Sequence, residues 1–284
     1  MNGPISRSAK ILKDAIASFN PTYIVSLVSG GKDSAASDQV AREVGAKIDL
    51  VIHGNTRCGI PQTSDFVREH YGHLADSDFA EADAGTAYVD YVFRKGFFGV
   101  GISSHAVAYH LLKADPFRKA MSKHLRKGKR GVRIMLLTGA RQDESDNRQK
   151  NLKPISIEPS RPNNAWVPIT IDWTQDERDE YLASRGTPIN PVATQLCRSG
   201  ECMCGTMQSK GDRAEASLLY PEWGKWIDSL EAEIRPIHGY GWGEKFPRKR
   251  DVGQGELFQP MCVGCVRQAV IPAISSQTTT GEPV

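Results

Sequence analysis

The chain has 284 residues, of which 39% are hydrophobic and 24% charged, with a formal net charge of +3. That size supports one large domain, or one domain with a small appendage, around a sizeable core. A mild positive balance identifies no partner, and no stretch approaches the roughly 18 apolar residues of a membrane span.

The opening segment, residues 5–19, reads as an amphipathic helix with lysines inside it and no apolar signal core, so a cytoplasmic protein is expected. "YIVSLVS" (23–29) is a continuous β-branched and apolar run, as in a strand buried on both faces. "SGGKDS" follows it, and "DSAASDQVAREVG" continues as a helix stopped at Gly45. "KIDLVIHGN" (47–55) predicts a second buried strand, "PQTSDFVREHYGHL" a helix opened by Pro61, and "VRIMLLTG" (132–139) a third strand. "AWVPITIDWT" is a shorter extended piece, and "TQDERDEYLASRG" a capped helix ending at Gly186. Strands alternating with helices predict an α/β fold with a mostly parallel, doubly wound sheet. Beyond about residue 190, turns, cysteines and aromatics dominate, with one clear helix at "PEWGKWIDSLEAEI". The expected division is a nucleotide-binding domain at 1–192, a small cysteine-rich region at 193–273, and a polar tail at 274–284.

Strand, glycine pair and helix make an anion-binding arrangement. Gly30 and Gly31 allow a sharp turn and close approach to a ligand, and backbone N–H groups at the helix start point at negative oxygens. Ser29 and Ser34 add hydroxyls and Lys32 adds charge. The spacing matches neither the Walker pattern nor G-x-G-x-x-G.

"SGGKDS" resembles the PP-loop of ATP pyrophosphatases, which cleave ATP between the α- and β-phosphates. "NTRCGIPQT" (55–63) resembles the D-T-G-x-x-F-P-E-T motif of phosphoadenosine-phosphosulfate reductases, and "TGARQDESDNR" (138–148) their T-G-x-R-x-x-E-S-x-x-R motif. "KADPFRKAM" (113–121) and "VPITIDWTQDERDEYLASRGTPINPV" are similar to two further segments of that family. The chain is therefore identified as a member of the reductase-like branch of the PP-loop superfamily, which implies an adenine nucleotide alpha hydrolase-like fold. The resemblance implies a nucleotide site of Ser29, Gly30, Gly31, Lys32, Asp33, Ser34, Gly139, Arg141 and Arg148, the arginines offering planar forks to phosphate or sulfate-like oxygens. Lys32, Asp33 and Arg141 are the expected catalytic groups. Asp33 orients the loop or magnesium, and Asp143 and Glu144 hold magnesium, orient Arg141 or carry helix N-terminal charge.

Two departures matter. The loop is intact, which argues for ATP and Mg2+, whereas the reductases have a degraded one. No cysteine follows Cys265, so the C-terminal nucleophile of the reductases is missing.

Six cysteines remain to be explained: Cys58, Cys197, Cys202, Cys204, Cys262 and Cys265. The last five favour metal chemistry, with Cys197, Cys202, Cys262 and Cys265 as expected ligands and Cys204 as substitute. Four thiolates fit a [4Fe–4S] cluster, the favoured reading, or zinc. In pairing a PP-loop with C-terminal cysteines the chain looks like DNA-phosphorothioation ATP pyrophosphatases. Cys58, in the loop expected to face the nucleotide, is either a persulfide carrier and so catalytic, or an ordinary semi-buried thiol beside Gly59.

"FRKAMSKHLRKGKRGVR" (117–133) carries eight lysines and arginines and no acid. It suits nucleic-acid phosphates, a nucleotide phosphate or a solvated helix face. The expected function is adenylation of an acceptor, most coherently a nucleic acid met by residues 118–133, followed by sulfur transfer. The expected partners are a sulfur-donor protein such as a cysteine desulfurase and a second copy in a homodimer. The alternatives are a sulfonucleotide reductase and a nucleotide- or nucleic-acid-binding protein without turnover.

Overall fold

Pro4 and the alternation of apolar and charged residues after it start α1 (Pro4–Phe19), whose buried side carries Leu12, Ala15 and Phe19 at helical spacing. The computed structural model describes residues 3–75, 78–126 and 131–247. Residues Met1–Phe246 form one compact unit and Pro247–Val284 a second, so the boundary expected after residue 192 falls inside the first unit. Cys262, Cys265 and the polar tail lie outside the described residues.

The chain continues through β1 (Tyr23–Val28), α2 (Lys32–Glu43), β2 (Leu50–Asn55), α3 (Pro61–Tyr71) and β3 (Phe79–Asp83). Helices α4 (Ala87–Lys95), α5 (Ile102–Tyr109) and α6 (Asp115–Met121) lead to β4 (Ile134–Thr138). Then come α7 (Asp146–Asn151), β5 (Ser156–Glu158), β6 (Arg161–Pro168), α8 (Gln175–Ser184), α9 (Pro191–Gln195), α10 (Lys210–Leu219) and α11 (Pro221–His238). Strands β3 and β5 are additions to the sequence reading. Each is five residues or fewer and carries acidic side chains, so neither shows the apolar run of a central strand.

The six strands lie in the order β3-β2-β1-β4-β6-β5. β1 pairs in parallel with both β2 and β4, Val25 standing beside Leu50 on one side and Leu136 on the other. β6 is parallel to β4, and only β5 runs antiparallel, at the edge. Strand order reverses between β1 and β4. In open α/β sheets such a reversal leaves a crevice at the carboxyl ends of the two strands, because their connections leave in opposite directions. The loops at Ser29–Gly31 and Gly139–Arg141 are the two lips of that crevice.

One face of the sheet packs on α1, α2 and α8 through Leu12, Val40, Leu137, Val167 and Trp173. The other packs on α6 through Leu50, Ile52, Leu136 and Met121. A separate apolar cluster gathers Tyr88, Phe97 and Phe98 with Trp223, Ile227 and Trp242. It builds residues 192–246 into the same body as the sheet.

Candidate active site

The loop after β1 takes its form from its own side chains. Gly30 sits at φ +74°, a left-handed conformation that a Cβ disfavours. Ser34 Oγ donates to the Gly31 carbonyl at 2.9 Å and accepts from the Ser29 N–H at 3.1 Å. Asn190 Nδ2 donates to the Gly30 carbonyl at 3.0 Å, tying the loop to the start of α9. Lys32 opens α2, its Nζ 3.5 Å from Asp179. The result is an ordered ring of N–H and hydroxyl groups at a helix N-terminus.

The second lip presses on the first. A Cβ at Gly139 would stand 2.2 Å from the Asp33 carbonyl oxygen and 2.6 Å from the Ser34 nitrogen, so only glycine fits there. Arg141 is buried, and its guanidinium faces the loop from below. Nε donates to Asp33 Oδ1 at 2.6 Å, and Nη1 donates to the Trp173 carbonyl at 3.2 Å and to Asp143 at 3.3 Å. The fork expected to grip phosphate therefore grips Asp33. Arg178 completes this clamp, Nη1 donating to the same Asp33 oxygen at 2.8 Å. Burial alone would weaken the charge on Arg178, but its bonds to Asp33 and Asp179 outweigh that and raise its pKa. Glu144 accepts from the Arg141 backbone N–H at 2.8 Å and pairs with Arg148. Of the roles open to Asp143 and Glu144, orienting Arg141 is the one their contacts serve.

These groups line a cavity of about 780 Å³ with six cations (Lys32, Lys113, Arg141, Arg148, Arg178, Arg198) against four carboxylates. Lys113, Arg178 and Arg198 were not singled out from sequence. Arg178 could have been, since it lies one turn beyond Thr174, the N-cap of α8. The cavity is flanked by a smaller one of about 240 Å³ that shares Leu27, Tyr109, Phe117 and Trp166 with it.

The cysteines separate into two environments. Cys197 is exposed, holds φ +52° and lines the nucleotide cavity. Cys58 is fully buried and absent from that lining. Its thiol donates to Thr56 Oγ1 at 3.4 Å and meets Cys202, which in turn meets Cys204. Burial pushes the Cys58 thiol well up. The hydrogen bonds from Cys204 and Cys58 hold the Cys202 thiol well down, with the Lys113 charge adding to them, while the bond to Cys202 pushes Cys204 up. The expected ligand set is not assembled within the described residues: Cys197 points elsewhere, Cys262 and Cys265 lie outside, and no group of three or more His, Cys, Asp or Glu is placed to hold a metal ion.

Glu201 lies between these environments. Its Oε2 is 2.5 Å from Lys113 Nζ, while Oε1 is buried and has no hydrogen-bond partner. Burial lifts its pKa to about 7 against the pull of Lys113. The helical run from α5 to α6 widens by one residue at His110–Ala114, which is where Lys113 sits. The segment after Cys197 is pinned to the loop after β2 and the start of α3: Thr56 and Thr63 hydroxyls donate to the Glu201 and Ser199 carbonyls, each at 2.6 Å.

In the basic stretch, Arg118 pairs with Asp115 at 2.8 Å and Arg133 lies over the Phe19 ring at 4.4 Å. Lys119 and Lys123 are exposed, and residues 127–130 lie outside the described residues. Among the described residues no helix is long and apolar enough to cross a membrane.

Comparison with known proteins agrees with this architecture. The phosphoadenosine phosphosulfate reductase domain matches residues 23–207. No curated protein matches the chain. Among solved structures, the phosphoadenylyl-sulfate reductase of Candida auris, in a phosphate complex, is 18% identical, covering 66% of this chain and 83% of that one at TM-score 0.46. The FMN adenylyltransferase of Candida glabrata with FAD and pyrophosphate is 14% identical over 68% of this chain and 59% of its own, at TM-score 0.46. The U34-tRNA thiolase of Methanococcus maripaludis, with its [4Fe-4S] cluster, is 13% identical over 90% and 89% at TM-score 0.39.

Proposed function

The chain belongs to the phosphoadenosine phosphosulfate reductase domain family, and from its site we propose that it binds ATP and transfers the adenylyl group to an acceptor as the first step of a sulfur transfer. The observation that carries this reading is the intact Ser29–Ser34 ring at the N-terminus of α2, opening into a cavity with a surplus of cations. Such a ring holds the β- and γ-phosphates as a departing group, with magnesium riding on the phosphates.

In the reaction an acceptor oxygen attacks the α-phosphorus, the bond to the oxygen bridging the α- and β-phosphates breaks, and pyrophosphate leaves. Backbone N–H groups of the loop, the Ser29 and Ser34 hydroxyls and Lys32 meet the charge that gathers on pyrophosphate. Asp33, Arg141 and Arg178 are positioning residues that keep α2 in place under the leaving group. The adenine ring fits the side lined by Leu27, Tyr109, Phe117 and Trp166. A sulfur nucleophile from a donor protein then displaces AMP from the acceptor. A nucleic-acid acceptor suits the exposed Lys119 and Lys123 beside the cavity wall. A metal centre on this chain would draw on Cys262 and Cys265 in addition to Cys202 and Cys204, and an anaerobic absorption spectrum with metal analysis tests it.

Pyrophosphate exchange into ATP is the direct assay. Lys32→Ala should lower both exchange and ATP affinity, by about tenfold or more. Unchanged values would sink the assignment. One observation favours a second reading, reduction of a sulfonucleotide: Cys197 stands in the nucleotide cavity. Its thiolate would attack the sulfate sulfur, release the nucleotide and form an S-sulfonated cysteine; a second thiol then attacks the cysteine sulfur, forming a disulfide and expelling sulfite. Sulfite release that Cys197→Ser abolishes would support this reading over adenylation.

A further inference from the structure

A second cavity, of about 500 Å³, opens beside the first and shares with it one lining residue, Glu201. Its volume is within the range of small-ligand sites. One wall is aromatic. Tyr220, Trp223 and Trp226 recur every three residues from the α10–α11 bend, which places them on one side of α11. Trp223 is fixed, its Nε1 donating to the Cys58 carbonyl at 3.1 Å and its ring edge-on to Trp242 at 6.0 Å. Trp226 is half-buried with its ring 6.0 Å from Tyr88, and the Tyr220 hydroxyl donates to Gln195 at 2.5 Å.

The facing wall is polar, its two arginines outnumbered by the three carboxylates Asp65, Glu81 and Asp83 that pair with them, and Glu222 adds another carboxylate to the lining. It carries Asn55 and Arg57 from the loop after β2, and Gln62, Asp65 and Arg68 from α3. Arg57 Nε donates to Asp83 at 2.7 Å, and Arg68 meets Glu81 at 2.8 Å and Asp65 at 2.9 Å. Both guanidinium groups are thus neutralised, and the cavity does not repeat the cation surplus of its neighbour. At the shared end stands the buried, unpartnered Oε1 of Glu201.

We propose that this cavity binds a nucleobase, stacked on the Trp226 and Tyr220 wall with its polar edge toward Gln62 and Glu201, so that the acceptor atom enters the nucleotide cavity past Glu201. The proposal deepens the adenylation reading and rests on it for the acceptor's role. The shape and chemistry of the slot carry the choice of ligand. A ring with a π-face suits the aromatic wall, and donors and acceptors on its edge suit the Gln62 amide and the Glu201 carboxyl, whose buried Oε1 has no partner. A phosphate would find no cation free of a carboxylate partner on Arg57 or Arg68, and an aliphatic ligand would strand the polar wall.

The test uses the full chain with the nucleotide cavity filled by a non-hydrolysable ATP analogue. Tryptophan fluorescence is titrated with uridine and, separately, with short single-stranded RNA and DNA. Saturable quenching is expected, weakened about tenfold or more in Trp226→Ala, the worth of one base stack. Tyr220→Leu, which leaves the Trp226–Tyr88 contact in place, guards against a folding defect in the first variant and should also weaken binding. Tighter, salt-sensitive binding of the oligonucleotide marks the base as part of a polymer, and equal affinity marks a free nucleoside. Absence of saturable quenching by every probe, or quenching indifferent to both substitutions, overturns the proposal. Pyrophosphate exchange read in parallel separates the two ideas. Exchange without base binding removes the pocket alone, and base binding without exchange removes the adenylation reading alone.

Discussion

The cation-rich cavity and the thiol cluster are built on the loops that follow neighbouring strands, with opposite solutions. The loop after β1 leaves its N–H groups and Lys32 facing an open, cation-rich space and secures itself from behind through Asp33, Arg141 and Arg178. The loop after β2 turns Cys58 inward, where Cys202 and Cys204 meet it among aromatic side chains. Charge is tolerated in the first because water and counter-groups reach it. In the second the hydrogen bonds from Cys204 and Cys58, with the Lys113 charge, pull the Cys202 thiol down, while burial pushes Cys58 up. The difference teaches that a reactive-looking residue type gains its role from access. Cys197, expected as a metal ligand, lines the cation-rich cavity; Cys58, inside a family motif, does not.

The largest test of this contrast is Gly139→Ala. With its Cβ 2.2 Å from the Asp33 carbonyl, the substitution must displace the phosphate loop. ATP affinity measured by calorimetry should fall about a hundredfold, the usual consequence of misplacing a binding group by an ångström, while the thiol cluster stays shielded. Alkylation with peptide mapping comes next. Cys197 should label in the native protein and be protected by ATP, whereas Cys58 and Cys204 should label only on unfolding. Early labelling of Cys58 would erase the distinction between the two regions.

Cys58→Ser places a hydroxyl in an apolar, fully buried site and should destabilise the fold by about 1–3 kcal/mol, read from urea midpoints. Arg178→Gln leaves Asp33 on Arg141 alone and should weaken ATP binding about 3- to 10-fold, with little change in stability. The smallest effect concerns pH. His53 is buried between the Val28 carbonyl (3.0 Å) and Ser64 Oγ (3.1 Å), and burial lowers its pKa despite the bond to Val28. Its contribution to stability is present above the ordinary imidazole pKa of about 6.5 and is lost as pH falls through the depressed value in the folded protein. His53→Gln should flatten that part of the stability–pH curve.

Much of the scaffold was legible in local pattern. β1, β2 and β4 are apolar runs because both faces of a central parallel strand are covered. Thr174 and Glu177 announced the start of α8 as a capping box, which it is. The phosphate loop was legible because its function resides in consecutive residues. Arg141 was found, and it does line the cavity, but its partner Asp33 was not legible, being 108 residues away in sequence. Arg178, Lys113 and Glu201 were missed for the same reason: each acquires meaning from a neighbour brought by another element.

The sequence by itself determined the α/β class, the strand–loop–helix that meets phosphate and the family to which the chain belongs, because these rest on backbone conformation and side-chain periodicity over a few consecutive residues. Tertiary structure alone decided which cysteine lines the cation-rich cavity, which carboxylate Arg141 holds, and that a second, aromatic-walled cavity meets the first at Glu201. Those facts depend on how burial and charge are shared between segments more than a hundred residues apart, as between Thr56 and Glu201. Such sharing is a property of the packed molecule, and no local pattern encodes it.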